Sequence, residues 1–124
     1  MKKLLLLIVS IVIMIILLGC SFKGQYVWGQ YPMRRFKYEK KQSNKNLNKL
    51  IRNFYEAKSV SKWAKYPDAP SLNCELAYYL YLNGENEEAM KYFDLEKELF
   101  PRSVKFVDLL IIELEKSGGL NNEE

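Results

Sequence analysis

The sequence predicts an all-α protein. After residue 42, four segments carry apolar residues on one helical face, and the first of them follows the i, i+3, i+4, i+7 spacing of an amphipathic helix. Proline, glycine and asparagine separate these segments, and no stretch alternates apolar and polar residues as a strand would. A chain of 124 residues is long enough for one domain and too short for two.

The first element is an apolar run that we interpret as a lipoprotein signal peptide over residues 1–19. Two lysines precede it, and fifteen residues from Leu4 to Leu18 are apolar except for Ser10. This is shorter than the roughly 18 to 20 residues that cross a bilayer, and it fits a signal-peptide core. The run ends in Leu17-Leu18-Gly19-Cys20, which resembles the lipobox of bacterial lipoproteins. The resemblance implies lipidation of Cys20 and cleavage before it.

Lipid on Cys20 makes a membrane the first expected partner. Two or three acyl chains hold a protein almost irreversibly, because each buried methylene contributes about 0.8 kcal/mol. Ser21 follows the cysteine where inner-membrane lipoproteins carry a retaining aspartate, so the lipobox resemblance implies the periplasmic face of the outer membrane. The alternative is an uncleaved anchor in which Cys20 has no role. Once Cys20 is lipidated, Cys74 cannot form an intramolecular disulfide, and we expect a buried thiol there.

Residues 20–42 are predicted to form a lipidated tether, since glycine and proline interrupt regular structure there. The tether contains Tyr26-Val27-Trp28-Gly29-Gln30-Tyr31, which is too aromatic for a flexible linker. The rings of Tyr26, Trp28 and Tyr31, next to Gly29, can bury well against a helical face. We expect a strap packed on the protein's own domain. A partner-docking or membrane-interface role is the alternative.

A four-helix domain is predicted over residues 43–117, followed by a disordered tail over 118–124. Ser43 or Asn44 can cap the first helix, and Ser71 can cap the second. The stretch between these helices is less regular and contains two prolines. The apolar stripes are Leu47, Leu50, Ile51 and Phe54, then Leu72, Leu76, Tyr79 and Leu80, then Ala89, Met90 and Phe93, and finally Val104, Val107, Leu110, Ile111 and Leu114.

The second and third predicted helices resemble a tetratricopeptide repeat (TPR). Small side chains let two antiparallel helices approach closely, a phenylalanine fills the space between them, and a proline ends the pair. A single pair cannot bury its faces alone, so the flanking helices must cover it. The matching positions are Leu76, Ala77, Leu80, Ala89, Phe93 and Pro101, with Ala89 twelve residues after Ala77.

Charge divides the mature chain into two halves. From Lys23 to Lys65 there are twelve basic and two acidic residues, a net charge of +10. From Tyr66 to Glu124 there are five basic and thirteen acidic residues, a net charge of −8. The basic half can dock on the acidic half, form a solvated face, or bind the anionic membrane beside the lipid. Nucleic acid is not an expected partner of an exported lipoprotein.

The lipobox, the aromatic motif and the ending Glu96-Lys97-Glu98-Leu99-Phe100-Pro101 together resemble a family of small Gram-negative lipoproteins. That family is catalogued as a domain of unknown function, number forty-eight ten. Its members share a Tyr-x-Trp-Gly-x-Tyr start and a TPR-like hairpin, and many are encoded beside a lipoprotein resembling the curli secretion channel. The resemblance implies assembly with other envelope lipoproteins and supplies no catalytic residues.

These observations favour a non-enzymatic binding or assembly module of a cell-envelope lipoprotein complex. The chain has no histidine, which removes the commonest general base and metal ligand. Cys74 has no basic neighbour within four residues in sequence, so nothing predicts a reactive thiolate. We expect no cofactor, no metal and no small-molecule substrate. The alternative is an envelope-structural protein whose basic half binds anionic membrane.

Overall fold

A computed structural model describes residues 2–19 and 26–120 of the chain. These residues form six α-helices and a short 3-10 turn, with no β-strand among them, which confirms the all-α prediction. The helices are Lys2–Gly19 (α1), Tyr31–Lys40 (α2), Asn44–Ala64 (α3), Leu72–Leu82 (α4), Asn86–Leu99 (α5) and Val104–Leu120 (α6), with the turn at Pro101–Ser103.

Helix α1 covers the segment interpreted as a signal peptide. Its side chains from residue 4 to residue 14 are all exposed, although nearly all of them are apolar. Within the described residues, no helix meets the length and hydropathy that a membrane span requires. The predicted lipidation site, Cys20, and the last four residues of the predicted tail lie outside the described residues.

The prediction of a tether without regular structure was wrong for residues 31–40, which form α2. Pro32 lies in the first turn of this helix, where its missing N–H would have no partner in any case. Tyr31 is buried, so the helix is fastened to the domain at its first residue. The domain therefore contains five α-helices instead of the four predicted.

Two helices are longer than the sequence pattern indicated. Helix α3 continues for ten residues beyond Phe54, because Ala57 and Ser61 extend its buried face at helical spacing. It ends where Lys65 adopts a left-handed conformation with φ of 58°, before either proline. Helix α6 continues to Leu120 through the two glycines that were expected to end it.

The helices pack in chain order. Helix α2 packs on α3, and α4 packs most extensively on α5, while α3 also contacts α4 and α5 contacts α6. Short connections join these pairs, so the neighbours run antiparallel. The buried centre of the α4–α5 pair includes the five buried residues of the predicted repeat, Leu76, Ala77, Leu80, Ala89 and Phe93, each with no exposed surface.

Alternate helices lie side by side in two layers. In the first layer, the rings of Tyr38 in α2 and Tyr79 in α4 are 5.7 Å apart and nearly perpendicular. In the same layer, the hydroxyl of Tyr81 in α4 donates to the carbonyl of Leu114 in α6 at 3.3 Å. Helices α2, α4 and α6 therefore form one face of the domain.

Helices α3 and α5 form the second layer. The rings of Tyr55 in α3 and Tyr92 in α5 are 6.0 Å apart, and burial raises the pKa of Tyr55 to about 12. Lys58 lies over the ring of Tyr92, with its Nζ atom 5.5 Å from the ring centroid. Lys58 also pairs with Asp68, which joins the basic half of the chain to the acidic half.

Candidate binding groove

An open groove of about 280 Å³ lies on the face formed by α2, α4 and α6. Helix α4 supplies its floor, and the other two helices supply its walls. Because alternate helices form this layer, the groove brings together side chains from three separate parts of the chain. Its lining residues are Arg35, Ser71, Cys74, Glu75, Tyr78, Tyr79, Phe106 and Leu110.

The aromatic motif positions the α2 wall. Gly29 has φ of 54° and lies over α3, where a Cβ atom would be 3.4 Å from the Nδ2 atom of Asn53. This left-handed conformation suits glycine and reverses the chain just before α2 begins. Trp28 lies 5.8 Å from the ring of Tyr31, and Tyr26 packs against the core in a partly buried position. The motif is thus at least partly an internal strap.

Tyr31 connects the strap to the floor of the groove. Its ring lies 5.0 Å from Phe54 in the core, and its hydroxyl donates a hydrogen bond to the carboxylate of Glu75. The same hydroxyl accepts a hydrogen bond from the Nη1 atom of Arg35 at 2.9 Å. Burial, with a further contribution from the Glu75 carboxylate, raises the pKa of Tyr31 well above its usual range.

Arg35 is held between two carboxylates at the rim of the groove. Its Nε atom donates to Glu39 at 2.8 Å, and its Nη1 atom lies 3.7 Å from Glu75. The hydrogen bond to Glu39 is the main cause of the raised pKa of Arg35. Because both carboxylates neutralise the guanidinium, this wall presents an ordered polar surface instead of an isolated positive charge.

The opposite wall is apolar. Phe106 is 62% exposed although it is aromatic, and Leu110 beside it is half-buried. Across the floor, Tyr78 packs edge-on against Tyr79 with 5.3 Å between ring centroids. A ligand in this groove would therefore meet aromatic and aliphatic surface on one side and the Arg35 cluster on the other.

Cys74 lines the groove but is only 4% exposed, which confirms the expected buried thiol. Burial is the main cause that raises its pKa to about 11, and the carboxylates of Glu96 and Glu75 contribute. The thiol is therefore protonated near neutral pH, in the form that is a poor nucleophile and a poor metal ligand.

The structure brings together part of what the sequence singled out. Of the aromatic motif, Tyr31 reaches the groove through Glu75, whereas Trp28 remains 37% exposed on the surface. Of the residues predicted to pack a repeat, five lie in the core, whereas Pro101 is exposed at the start of the 3-10 turn. Among the described residues, no group of three His, Cys, Asp or Glu side chains is placed to hold a metal ion.

Sequence reasoning did not identify Arg35, Glu75, Tyr78 or Phe106 as groove residues. One signal was available for Phe106, because it lies off the buried stripe of its helix together with Leu109. Apolar residues in excess of those needed for the core often mark a contact surface. The pairing of Arg35 with Glu75 had no such signal, since the two residues are distant in sequence.

The fold and the groove define a small all-α protein of paired helices with an open face. Residues 25–110 match the family model described as Domain of unknown function (DUF4810), which is more than half of the chain. The chain belongs to this family. No curated protein and no solved structure matches it.

Proposed function

We propose that this protein is a lipid-anchored, non-enzymatic binding module that assembles with other lipoproteins of the cell envelope. Its proposed location is the periplasmic face of the outer membrane. The observation on which the binding role rests is the α2–α4–α6 groove with Phe106 exposed on its wall. A partner segment that places an apolar side chain against Phe106 and Leu110 would occupy it.

An exposed phenylalanine on an ordered helix supports a binding role. Covering such a side chain contributes roughly 1.5–3 kcal/mol, which is available only when a partner removes it from water. The opposite wall is already ordered by the hydrogen bonds of Arg35 to Glu39 and Tyr31. A groove that is ordered before binding loses little conformational freedom when a ligand enters.

The chemistry of the groove supports binding over catalysis. Cys74, the side chain in it best suited to nucleophilic attack, holds its proton because its pKa is raised to about 11. The carboxylate of Glu75 accepts from Tyr31 and faces Arg35, so its oxygens are engaged in structural contacts. General acid–base catalysis needs a group that is free to exchange a proton with a substrate near neutral pH.

The layered arrangement of the helices supports the TPR-like interpretation. In stacked helical pairs, the first helix of each pair lines a common concave face that binds partner segments. Helices α2, α4 and α6 likewise share one layer, and α3 and α5 form the other.

Site-specific photo-crosslinking in living cells tests the binding role. A photoreactive amino acid placed at Phe106 should capture an envelope lipoprotein. Leu109 is the matched control, because it lies on the same helix, has almost the same exposure (63% against 62%) and does not line the groove. Equal capture from both positions, or capture from neither, would reject the groove as a binding site.

The lipid anchor is tested separately through Cys20. Mass spectrometry of the N-terminal fragment from the membrane-extracted protein should show acyl groups on Cys20 and no residues before it. Cys20→Ser should remain uncleaved and lack the acyl mass. An unmodified thiol or an intact N-terminus on the parent protein would overturn this part of the proposal.

A further inference from the structure

The last turn of α3 presents a tryptophan to solvent. Trp63 is 86% exposed, more than any other large apolar side chain in the part of the chain whose side chains the structure describes. Tyr66, two residues after the end of the helix, is also exposed at 39%. Lys62 and Lys65 lie on either side of Trp63 in sequence, and neither forms an ion pair with a described residue. We call residues 62–66 the docking turn.

The docking turn is part of an ordered helix end. Ser61, immediately before it, is 1% exposed, and its carbonyl accepts a hydrogen bond from the backbone N–H of Tyr66 at 2.9 Å. The backbone N–H of Lys65 donates to the carbonyl of Lys62 at 3.3 Å. Trp63 is therefore held in its exposed position by backbone structure that is anchored in the core.

The docking turn has the residue composition of protein segments that lie at a membrane interface. Tryptophan and tyrosine are enriched at the headgroup level of bilayers, where an amphipathic ring meets both apolar and polar surroundings. Lysine side chains extend their charged ends to the headgroups while their stems lie along apolar surface. Two lysines without acidic partners are also attracted to the negative charge of an anionic lipid surface.

The docking turn lies within reach of the proposed lipid attachment. Gly29 lies over Asn53 and Ala57 on α3, and Trp63 is six residues further along the same helix, about 9 Å along its axis. Gly29 is nine positions after Cys20, a distance of at most about 32 Å when the chain is fully extended. The chain length thus permits a lipid on Cys20 and the docking turn to meet the same bilayer.

We propose that the docking turn binds the anionic phospholipid surface of the membrane to which Cys20 is attached, with Trp63 entering the headgroup region. This inference rests on the proposed lipid anchor. Two points of attachment would fix the orientation of the domain on the membrane, whereas a lipid alone would leave it free to rotate.

The chain contains only two tryptophans, so each can be observed by itself. Trp28→Phe leaves Trp63 as the single tryptophan reporter, and Trp63→Phe leaves Trp28 as the matched control. The lipidated proteins are reconstituted into vesicles of phosphatidylcholine with or without phosphatidylglycerol, and brominated lipids serve as quenchers. Because Trp63 is largely exposed, its replacement should leave the fold intact.

In vesicles containing phosphatidylglycerol, Trp63 emission should shift to shorter wavelength and fall at least twofold with brominated lipid. Trp28 emission should change less. The double substitution Lys62→Gln/Lys65→Gln in the Trp28→Phe background should reduce the quenching of Trp63. High salt should also reduce this quenching in the protein that keeps both lysines.

The outcomes separate the two proposals. If the protein stays with the vesicles while Trp63 remains unquenched, the docking turn is rejected and the lipid anchor stands. If Trp63 emission shifts with protein concentration and without lipid, the surface binds a second copy and the membrane inference is overturned. If mass spectrometry finds Cys20 unmodified, both the anchor and this inference are overturned.

Discussion

The hydroxyl of Tyr31 donates a hydrogen bond to the carboxylate of Glu75, 44 positions further along the chain. This contact joins the first residue of α2 to the first turn of α4, and the same hydroxyl also holds Arg35 at the rim of the groove. The aromatic motif therefore has a structural role that extends to the candidate binding site.

Removing this hydroxyl should destabilise the domain. We expect Tyr31→Phe to lower the free energy of unfolding by about 1–3 kcal/mol, because the buried ring is retained and a hydrogen bond to a charged group is lost. Urea unfolding of the chain beginning at Ser21 measures the change. Tyr38→Phe is the control, since no hydrogen bond joins its hydroxyl to a described residue. Equal effects of the two substitutions would contradict the role assigned to Glu75.

Gly29 and Gly84 should respond differently to large side chains. Both have positive φ, 54° and 83°, so alanine at either position should cost about 1–2 kcal/mol through the backbone alone. A Cβ atom at Gly84 meets nothing within 4 Å, whereas one at Gly29 contacts Asn53 and Ala57. Leucine at position 29 should therefore cost clearly more than leucine at position 84 in thermal or urea unfolding. An equal loss of stability for leucine at the two positions would mean that Gly29 does not pack on α3.

The close approach of α4 and α5 depends on two buried alanines, Ala77 in α4 and Ala89 in α5. Ala89→Leu should lower the free energy of unfolding by about 1–3 kcal/mol, because Ala89 has no exposed surface and the added atoms must displace neighbours. Ala64→Leu is the control at the partly exposed end of α3 and should change the stability by less than about 0.5 kcal/mol. A tolerated Ala89→Leu would show that the α4–α5 interface is looser than described.

Cys74 should make the protein less stable at alkaline pH. Burial raises its pKa from 9.0 to about 11, so the folded state holds the proton more tightly than the unfolded state. This stabilisation is complete below pH 9 and is lost as the pH rises through 11. Between pH 9 and 10, the unfolding free energy should fall more steeply for the parent than for Cys74→Ala.

The same burial predicts slow alkylation of the thiol. In the chain beginning at Ser21, Cys74 is the single cysteine, so iodoacetamide uptake reports on it alone. Uptake at pH 8 should be slow in the folded protein and fast in urea. Equal rates in both conditions would show that the thiol is accessible in the folded state.

The helical periods of the chain made its fold class predictable, and Ser43 caps α3 as expected, whereas the side chain of Ser71 does not cap α4. The stripe from Leu72 to Leu80 and the spacing from Ala77 to Ala89 identified the α4–α5 pair, because these signals are local. Helix α2 was missed because Pro32 indicates a break, except in the first turn of a helix. The end of α3 was missed because Ser61 is polar and yet lies on the buried face.

The groove was less predictable than the fold. It depends on which helices become neighbours in space, and a sequence that predicts one repeat-like pair of helices does not show that α2, α4 and α6 share a layer. Glu75 illustrates the difficulty: in sequence it is an acidic residue in the first turn of a helix, which the helix dipole alone would explain. Only its contacts with Tyr31 and Arg35 place it in the groove.

The attachment of Tyr31 also determines how the domain would respond to a mechanical pull. Force arriving from the N-terminal side reaches the motif first, and Tyr31 transmits it to Phe54 in the core and to Glu75 on α4. The load is thus shared between two helices and does not peel α2 away one turn at a time. A domain built in this way would resist unravelling under a pull from its N-terminal side.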